Sequence, residues 1–101
     1  MTLPPMLRGT FCLEADDPCL AGHFPGRPVV PAVLLLESLA ALVDRHGFQI
    51  SEVVDAKFHV PLAPAQTASL EILTATDEAW RFAIRRSGQL IASGRLRVIS
   101  P

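Results

Sequence analysis

Residues 32–46 read AVLLLESLAALVDRH, and this stretch decides the fold. It consists of helix formers, Pro31 suits the first helical position because the missing N–H is not needed there, and Gly47 is typical of a helix C-terminus. The large apolar residues cover every direction of the helical wheel, which predicts a helix buried on all sides. They are Leu34, Leu35, Leu36, Leu39, Leu42 and Val43.

The sequence around this helix predicts an antiparallel sheet. Before it, residues 16–31 hold four prolines and two glycines, so a long loop is expected there. Strands are expected where apolar and polar residues alternate, at residues 7–15, 53–60, 67–76, 80–86 and 90–99, with a hairpin turn at Ser87-Gly88-Gln89. The order predicts one α+β domain over residues 1–101, with an antiparallel sheet wrapped around one central buried helix.

The composition excludes several classes of protein. The 101 residues are 50% hydrophobic and 19% charged, as in a globular domain, and a core this small is often completed by oligomerisation. Pro31 and Glu37 interrupt the longest apolar run, which is shorter than the roughly 20 residues of a membrane span. We expect no signal peptide. Cys12 and Cys19 have neither zinc nor redox spacing, so reduced thiols in a cytoplasmic protein are expected.

Charge is distributed unevenly along the chain. Residues 80–101 contain five arginines and no acid, whereas the first 79 residues hold ten acids against four bases, a charge of −6. The basic tail indicates an anionic partner, although the balance is far from that of a nucleic-acid binder. The alternative is a solvated sheet face, or arginines that protect an edge strand from aggregation.

Glu37 and His23 are the candidate catalytic residues. Glu37 is the only ionisable residue between Val29 and Val43, so it is expected to be desolvated with a raised pKa, as suits a general acid. The alternative is a side chain that reaches solvent or pairs with an arginine. His23 lies in the proline-rich loop, whose rigidity would hold a base in place, although a loop histidine can equally be a surface residue.

The remaining histidines and cysteines give weaker signals. His46 would interact with the C-terminal end of the helix dipole, and His59 would lie in a strand. Cys19 precedes His23 by four residues, but no third residue orients such a pair, so a packing role fits the thiol better. No metal-ligand spacing is present, and we expect no metal.

Two blocks carry a resemblance to a known family. Residues 22–37, GHFPGRPVVPAVLLLE, resemble the active-site segment of the 3-hydroxyacyl-[acyl-carrier-protein] dehydratases of fatty-acid synthesis. In that family a loop histidine precedes a helical glutamate or aspartate by the same fourteen positions. Residues 57–64, KFHVPLAP, resemble the strand that follows the helix. The resemblance extends over residues 7–98 and implies the hot-dog fold, a sheet wrapped around one long helix.

The resemblance also implies a reaction, the dehydration of a carrier-bound 3-hydroxyacyl thioester to the trans-2-enoyl thioester without a cofactor. His23 would remove the proton beside the thioester carbonyl, and Glu37 would protonate or orient the 3-hydroxyl group. The N–H of Ala32 would hold the thioester oxygen, as the N-terminus of a helix can. Further substrate contacts would come from Phe24, Gly26 and Leu36.

Partners follow from the same resemblance. Acyl carrier protein would dock on Arg81, Arg85, Arg95 and Arg97. The chain would form a homodimer with shared active sites, or a heterodimer or higher oligomer. Ala32 and Glu37 are separated by roughly 140° around the helix, which suits a site built from two chains.

The chain departs from the family pattern at two positions and in length. The family usually has glycine at the position of Ala32 and often glutamine at that of Ala41, and the family's N-terminal helix and strand are not seen. We interpret the sequence as a short, specialised branch for a polyketide, aryl-polyene or lipid pathway. The alternatives are a hot-dog acyl thioesterase, or a non-catalytic acyl-carrier-binding subunit of a heterodimeric dehydratase.

Overall fold

The structure, a computed structural model, describes residues 4–18, 29–74 and 79–101. Along these residues the chain forms one helix and five strands. They are β1 (Met6–Phe11), α1 (Ala32–Arg45), β2 (Gln49–Phe58), β3 (Ala68–Leu73), β4 (Trp80–Arg86) and β5 (Gln89–Ile99). No helix among the described residues is long and apolar enough to cross a membrane.

The strands form one antiparallel sheet in the order β1-β3-β4-β5-β2. β4 and β5 make a tight hairpin, in which Arg86 pairs with Gln89 and both Ser87 and Gly88 have positive φ, as a two-residue type I′ turn requires. The helix α1 connects β1 to β2, which lie at opposite edges of the sheet. The chain therefore passes across one face of the sheet, as the sequence predicts for a helix with a sheet around it.

The core lies between this face of the sheet and one face of the helix. Alternate residues of β3, namely Ala68, Leu70 and Ile72, are buried, as expected for a strand with one face on the core. The helix contributes residues at spacings of four, three and one, which share one side of an α-helix: Leu35, Leu39, Leu42 and Val43. Among the described residues, no polar or charged side chain is buried.

The prediction that α1 is buried on all sides is wrong for the single chain. Val33 is 58% exposed, and Ala40 and Ala41 are also exposed, on the side opposite the sheet. The sheet covers one side of the helix only, so apolar residues that extend around the wheel cannot all contact it. This exposed side is the part of the helix that a second chain could cover.

The helix C-terminus is closed by local hydrogen bonds. The N–H groups of His46 and Gly47 donate to the carbonyl oxygens of Val43 and Asp44, at 3.1 and 3.0 Å. Gly47 has φ +82°, the left-handed conformation that favours glycine after a helix. At the other end Pro31 is the residue before the helix rather than its first residue, one position earlier than expected.

The strand bounds in the structure agree best with the predicted ones where apolar and polar residues alternate regularly. β4 has the expected bounds, and β5 begins one residue earlier than expected. β1 is shorter than expected, and β2 begins at Gln49 instead of residue 53. Register shifts interrupt the pairing of β2 with β5 after Ile50 and after Val53, which breaks the simple alternation in that strand.

Candidate active site

The N-terminus of α1 is the centre of the candidate site. Pro31 has extended backbone angles, no side chain of a described residue caps the helix, and its first turn contains no acidic residue. The first N–H groups of a helix have no partner within it, and they carry the positive end of the helix dipole. The N–H of Ala32 is the first of these, so this end of α1 is suited to an oxygen that gains negative charge.

An apolar cavity of about 310 Å³ lies beside this helix end. One wall is the start of the helix and the segment before it, and the other is the end of β2 and the loop that follows. The N–H of Val30 donates to the carbonyl oxygen of Leu62 at 2.8 Å and joins the two walls. The lining residues are Val29, Val30, Pro31, Ala32, Leu35, Phe58, His59, Val60, Pro61 and Leu62.

His59 lies just beyond β2 and lines this cavity. The Nε2 of its ring is 3.0 Å from the Oγ of Ser93, and its backbone N–H donates to the carbonyl oxygen of Ile91 at 2.8 Å. The sequence predicts His59 only as a strand residue, within the block 57–64 that resembles the dehydratase family. Since apolar residues before a proline fit many loops, nothing in the block predicts that it forms a cavity wall.

Glu37 lies away from the cavity. The side chain is exposed in the single chain, so the predicted desolvation is wrong there, and the alternative of a side chain that reaches solvent fits better. The reason is the helix geometry, because Glu37 is about 180° around the helix from the centre of its buried side. Ala32 and Glu37 thus point to different sides, as their spacing predicts, and one chain does not bring them together.

The other predicted site residues have different positions. His23, Phe24 and Gly26 lie outside the described residues, as does Cys19. Leu36 is partly buried against the core rather than in the cavity lining. Cys12 is a free and exposed thiol.

His46 interacts with the C-terminal end of α1, as the sequence predicts. Its Nδ1 is 3.1 Å from the carbonyl oxygen of Leu42, a group that the helix leaves without an internal partner. This histidine lies at the end of the helix far from the cavity, and its contact is with the helix C-terminus.

The four arginines of the predicted docking surface share the outer face of the sheet, opposite α1. Three of them form ion pairs with carboxylates on the same face. Arg85 pairs with Glu71 at 3.2 Å, Arg95 with Asp55 at 2.7 Å and Arg97 with Glu52 at 2.8 Å. The face is therefore less basic than the arginine count alone suggests.

Asp55 shows the electrostatic effect of this pairing. The hydrogen bond from Arg95 lowers the pKa of the Asp55 carboxyl group below its usual value of 3.8, and the charges of Arg95 and Lys57 lower it further. All three groups are close to solvent, so the stabilisation from such a pair is small.

The fold is the hot-dog fold, which solved structures of a dehydratase and of a thioesterase share. Among solved structures, the dehydratase heterocomplex ApeI:P from Xenorhabdus doucetiae matches with a TM-score of 0.77 and 22% identity, over 92% of this chain and 86% of that one. A fluoroacetyl-CoA thioesterase, FlK, matches with a TM-score of 0.68 and 15% identity, over 99% of this chain and 89% of that one. At these identities the matches show a shared fold.

Sequence comparison shows the family. The profile described as ApeI-like, ApeI dehydratase, matches residues 5–95, and the chain belongs to this ApeI-like dehydratase family. The 3-hydroxyacyl-[acyl-carrier-protein] dehydratase FabZ of Pseudoalteromonas translucida is 31% identical over 97 residues, which cover 80% of this chain and 65% of that protein. FabZ of Mannheimia succiniciproducens is 33% identical over 69 residues, covering 57% of this chain and 46% of that protein. The chain thus spans about half to two thirds of the length of these curated relatives.

Proposed function

We propose that this chain dehydrates a 3-hydroxyacyl thioester on acyl carrier protein to the trans-2-enoyl thioester. Membership of a dehydratase family supports the reaction, and the curated relatives carry the name of that activity. The observation that carries the proposal is the uncapped start of α1 beside an apolar cavity. An acyl chain fits the apolar walls, and the thioester oxygen would lie at the Ala32 N–H.

The proposed dehydration has two steps. His23 takes the proton from the carbon beside the carbonyl, and negative charge moves to the thioester oxygen, which the helix N-terminus stabilises. The bond between the 3-carbon and its hydroxyl oxygen then breaks as Glu37 supplies a proton, and water leaves. The new double bond takes the electron pair of the broken C–H bond.

This chemistry requires a second chain, because Glu37 is remote from the cavity within one chain. A partner seated on the exposed side of α1 would cover Val33, Ala40 and Ala41 and desolvate Glu37. We infer a dimer with shared sites. Both a homodimer and a heterodimer would supply the second chain. The similar ApeI:P structure is a heterocomplex.

The carrier protein would dock on the outer face of the sheet through Arg81, Arg85, Arg95 and Arg97. The face keeps a positive balance after its three ion pairs, since Arg8, Lys57 and Arg81 add to it. We place the reaction in the cytoplasm, in fatty-acid-type, polyketide or aryl-polyene synthesis.

Intact-protein mass spectrometry of a 3-hydroxyacyl carrier protein, incubated with this chain, tests the proposal. We expect the carrier to lose the mass of one water with the wild-type chain and to stay unchanged with His23→Ala or Glu37→Gln. Circular dichroism of each variant controls for its fold. Both the relatives' names and the loop motif favour this outcome.

Other outcomes identify the alternatives. Loss of the whole acyl group would overturn the proposal in favour of a thioesterase, the class to which FlK belongs. No change over several acyl chains would favour a non-catalytic subunit, and mixing with a second hot-dog chain would then restore turnover.

A further inference from the structure

A second recess lies on the outer face of the sheet, across strand β2 from the cavity. It has a volume of about 440 Å³ and contains three cationic side chains and one carboxylate. The lining residues are Asp55, Lys57, Arg81, Phe82, Ser93, Gly94 and Arg95. The sheet register explains the shape, because Ser93 pairs with Lys57 and lies two residues from Arg95 along β5, so a short side chain is surrounded by long ones.

The charges of this recess are unbalanced. Arg81 and Arg95 are directly opposite each other in the β4–β5 register, and like charges in such pairs destabilise a sheet. Asp55 accepts hydrogen bonds from the Nε and Nη2 of Arg95, at 3.0 and 2.7 Å. Within the described part of the chain, no carboxylate forms an ion pair with Arg81. One carboxylate against three cations leaves a formal charge of +2.

The cationic side chain of Arg81 is not needed for the stability of the fold. The fold could place a neutral residue at position 81, since the side chain is exposed and lies opposite Leu73 on its other side. Arg85 and Arg97, by contrast, each have a carboxylate across the strand. Arg81, which has no ion-pair partner among the described residues, lies beside Lys57 and the Ser93 hydroxyl, and such donors suit a phosphate group.

We propose that this recess is an anion site that binds the phosphate group of a small molecule. Arg81 and Lys57 supply the free charge, and the Ser93 hydroxyl, which also contacts the Nε2 of His59, supplies a further donor. The site is separate from the cavity at the start of α1. It lies within the arginine face that the proposed function assigns to the carrier protein, so a phosphate group and the carrier would compete for Arg81, and the proposal does not rest on the dehydratase reaction.

NMR titration of the full chain with inorganic phosphate tests this site, at an ionic strength held constant with sodium chloride. We expect saturable shifts of the amide signals of Ser93, Gly94 and Lys57. Arg81→Gln is expected to weaken the affinity by about tenfold or more, because a charge-assisted hydrogen bond is lost. The matched control is Arg97→Gln, an arginine of the same face outside the recess, and it should change the affinity less than about twofold.

Asp55→Asn provides a test in the opposite direction. Loss of the carboxylate raises the charge of the recess to +3 and removes the ion pair between Asp55 and Arg95, so phosphate should bind several-fold more tightly. A general loss of structure would not tighten binding, which makes this result specific to the proposed site.

The source of the phosphate is resolved by a second ligand, adenosine 3′-monophosphate. Tighter binding than inorganic phosphate would assign the site to a nucleotide, and equal binding would assign it to the phosphate alone. The proposal is overturned if neither ligand gives saturable shifts, or if Arg81→Gln and Arg97→Gln behave alike. It is also overturned if only an acidic peptide binds, since the recess would then belong to a protein-docking surface.

Discussion

The C-terminal end of α1 has a complete set of stabilising features, whereas the described residues provide none of the usual ones at the N-terminal end. At the C-terminus Arg45 and His46 face the negative end of the dipole, and Gly47 takes the left-handed conformation. At the N-terminus the preceding residue is Pro31, which has no side-chain donor or acceptor. One end of the helix is therefore built for stability, while the other has no cap among the described residues, and its first N–H groups have no partner within the helix.

The largest effect is expected from removal of one N–H group, with Ala32→Pro. Proline is tolerated in the first turn of a helix, and the ψ of Pro31, 140°, suits a following proline. Stability should change little, but dehydration should slow by about 10²–10³-fold if this N–H holds the thioester oxygen. Turnover is measured with the carrier-protein assay and stability by thermal melting.

Ala32→Val is the matched control for this variant. It adds similar bulk to the cavity wall and keeps the N–H, so it should retain much more activity than Ala32→Pro. Equal rates for the wild type and Ala32→Pro would remove the Ala32 N–H from the mechanism.

A second variant, Pro31→Asp, would make the two helix ends alike. A carboxylate at this position can accept a hydrogen bond from the helix and complement its dipole, which should raise the free energy of unfolding by about 1 kcal/mol relative to Pro31→Ala. The same charge would oppose negative charge on the thioester oxygen, so turnover should fall by about tenfold. Urea denaturation and the carrier assay on both variants would show whether stability and activity change in opposite directions.

The reference variant Pro31→Ala accounts for the loss of the proline ring, which by itself alters the entropy of the unfolded chain. If Pro31→Asp were more stable and equally active, the uncapped end would have no catalytic role.

Much of this helix could be predicted from sequence, but its surroundings could not. Pro31 and Gly47 mark the two ends of the helix to within one residue, because their backbone preferences are local. The exposed side could not be predicted, because leucines at 34, 35 and 36 give no indication of which direction the sheet covers. Glu37 was therefore expected in a desolvated position that one chain does not provide.

The outer face of the sheet could also be predicted from the sequence only in part. Alternation predicts that Arg81 and Arg85 share one face of β4 and that Arg95 and Arg97 share one face of β5, but only the register shows that all four lie on the same face of the sheet. Their partners depend on the register, and Asp55 and Arg95 are forty positions apart in the chain. The two bulges of β2 shift that register in a way no local pattern indicates.

At the C-terminus of α1, Gly47→Ala should reduce stability without reducing activity. At φ +82° a side chain is strained, and the expected loss is about 1 kcal/mol in the free energy of unfolding. Gly47→Asn is the control, because asparagine tolerates this conformation better. Urea denaturation measures the loss. A fall in turnover per folded molecule, beyond that of the control, would contradict the division of roles between the two ends.

The smallest effect is expected at the Asp55–Arg95 pair, which gives a baseline for a surface contact that belongs to neither end of the helix. The pKa of Asp55 is lowered in the folded chain, so the pair stabilises the protein above the ordinary carboxyl pKa of 3.8, and this contribution is lost as the pH falls through the lower, folded value. Asp55→Asn should flatten the acid side of a plot of melting temperature against pH, and Arg95→Gln should do the same because Arg95 is the main cause of the shift.

Both side chains are nearly half exposed, at 46% for Asp55 and 49% for Arg95, so the difference near pH 7 should be close to the error of the measurement. A change in melting temperature at pH 7 as large as that of Gly47→Ala would mean that the outer face stabilises the fold as much as the C-terminal end of α1 does.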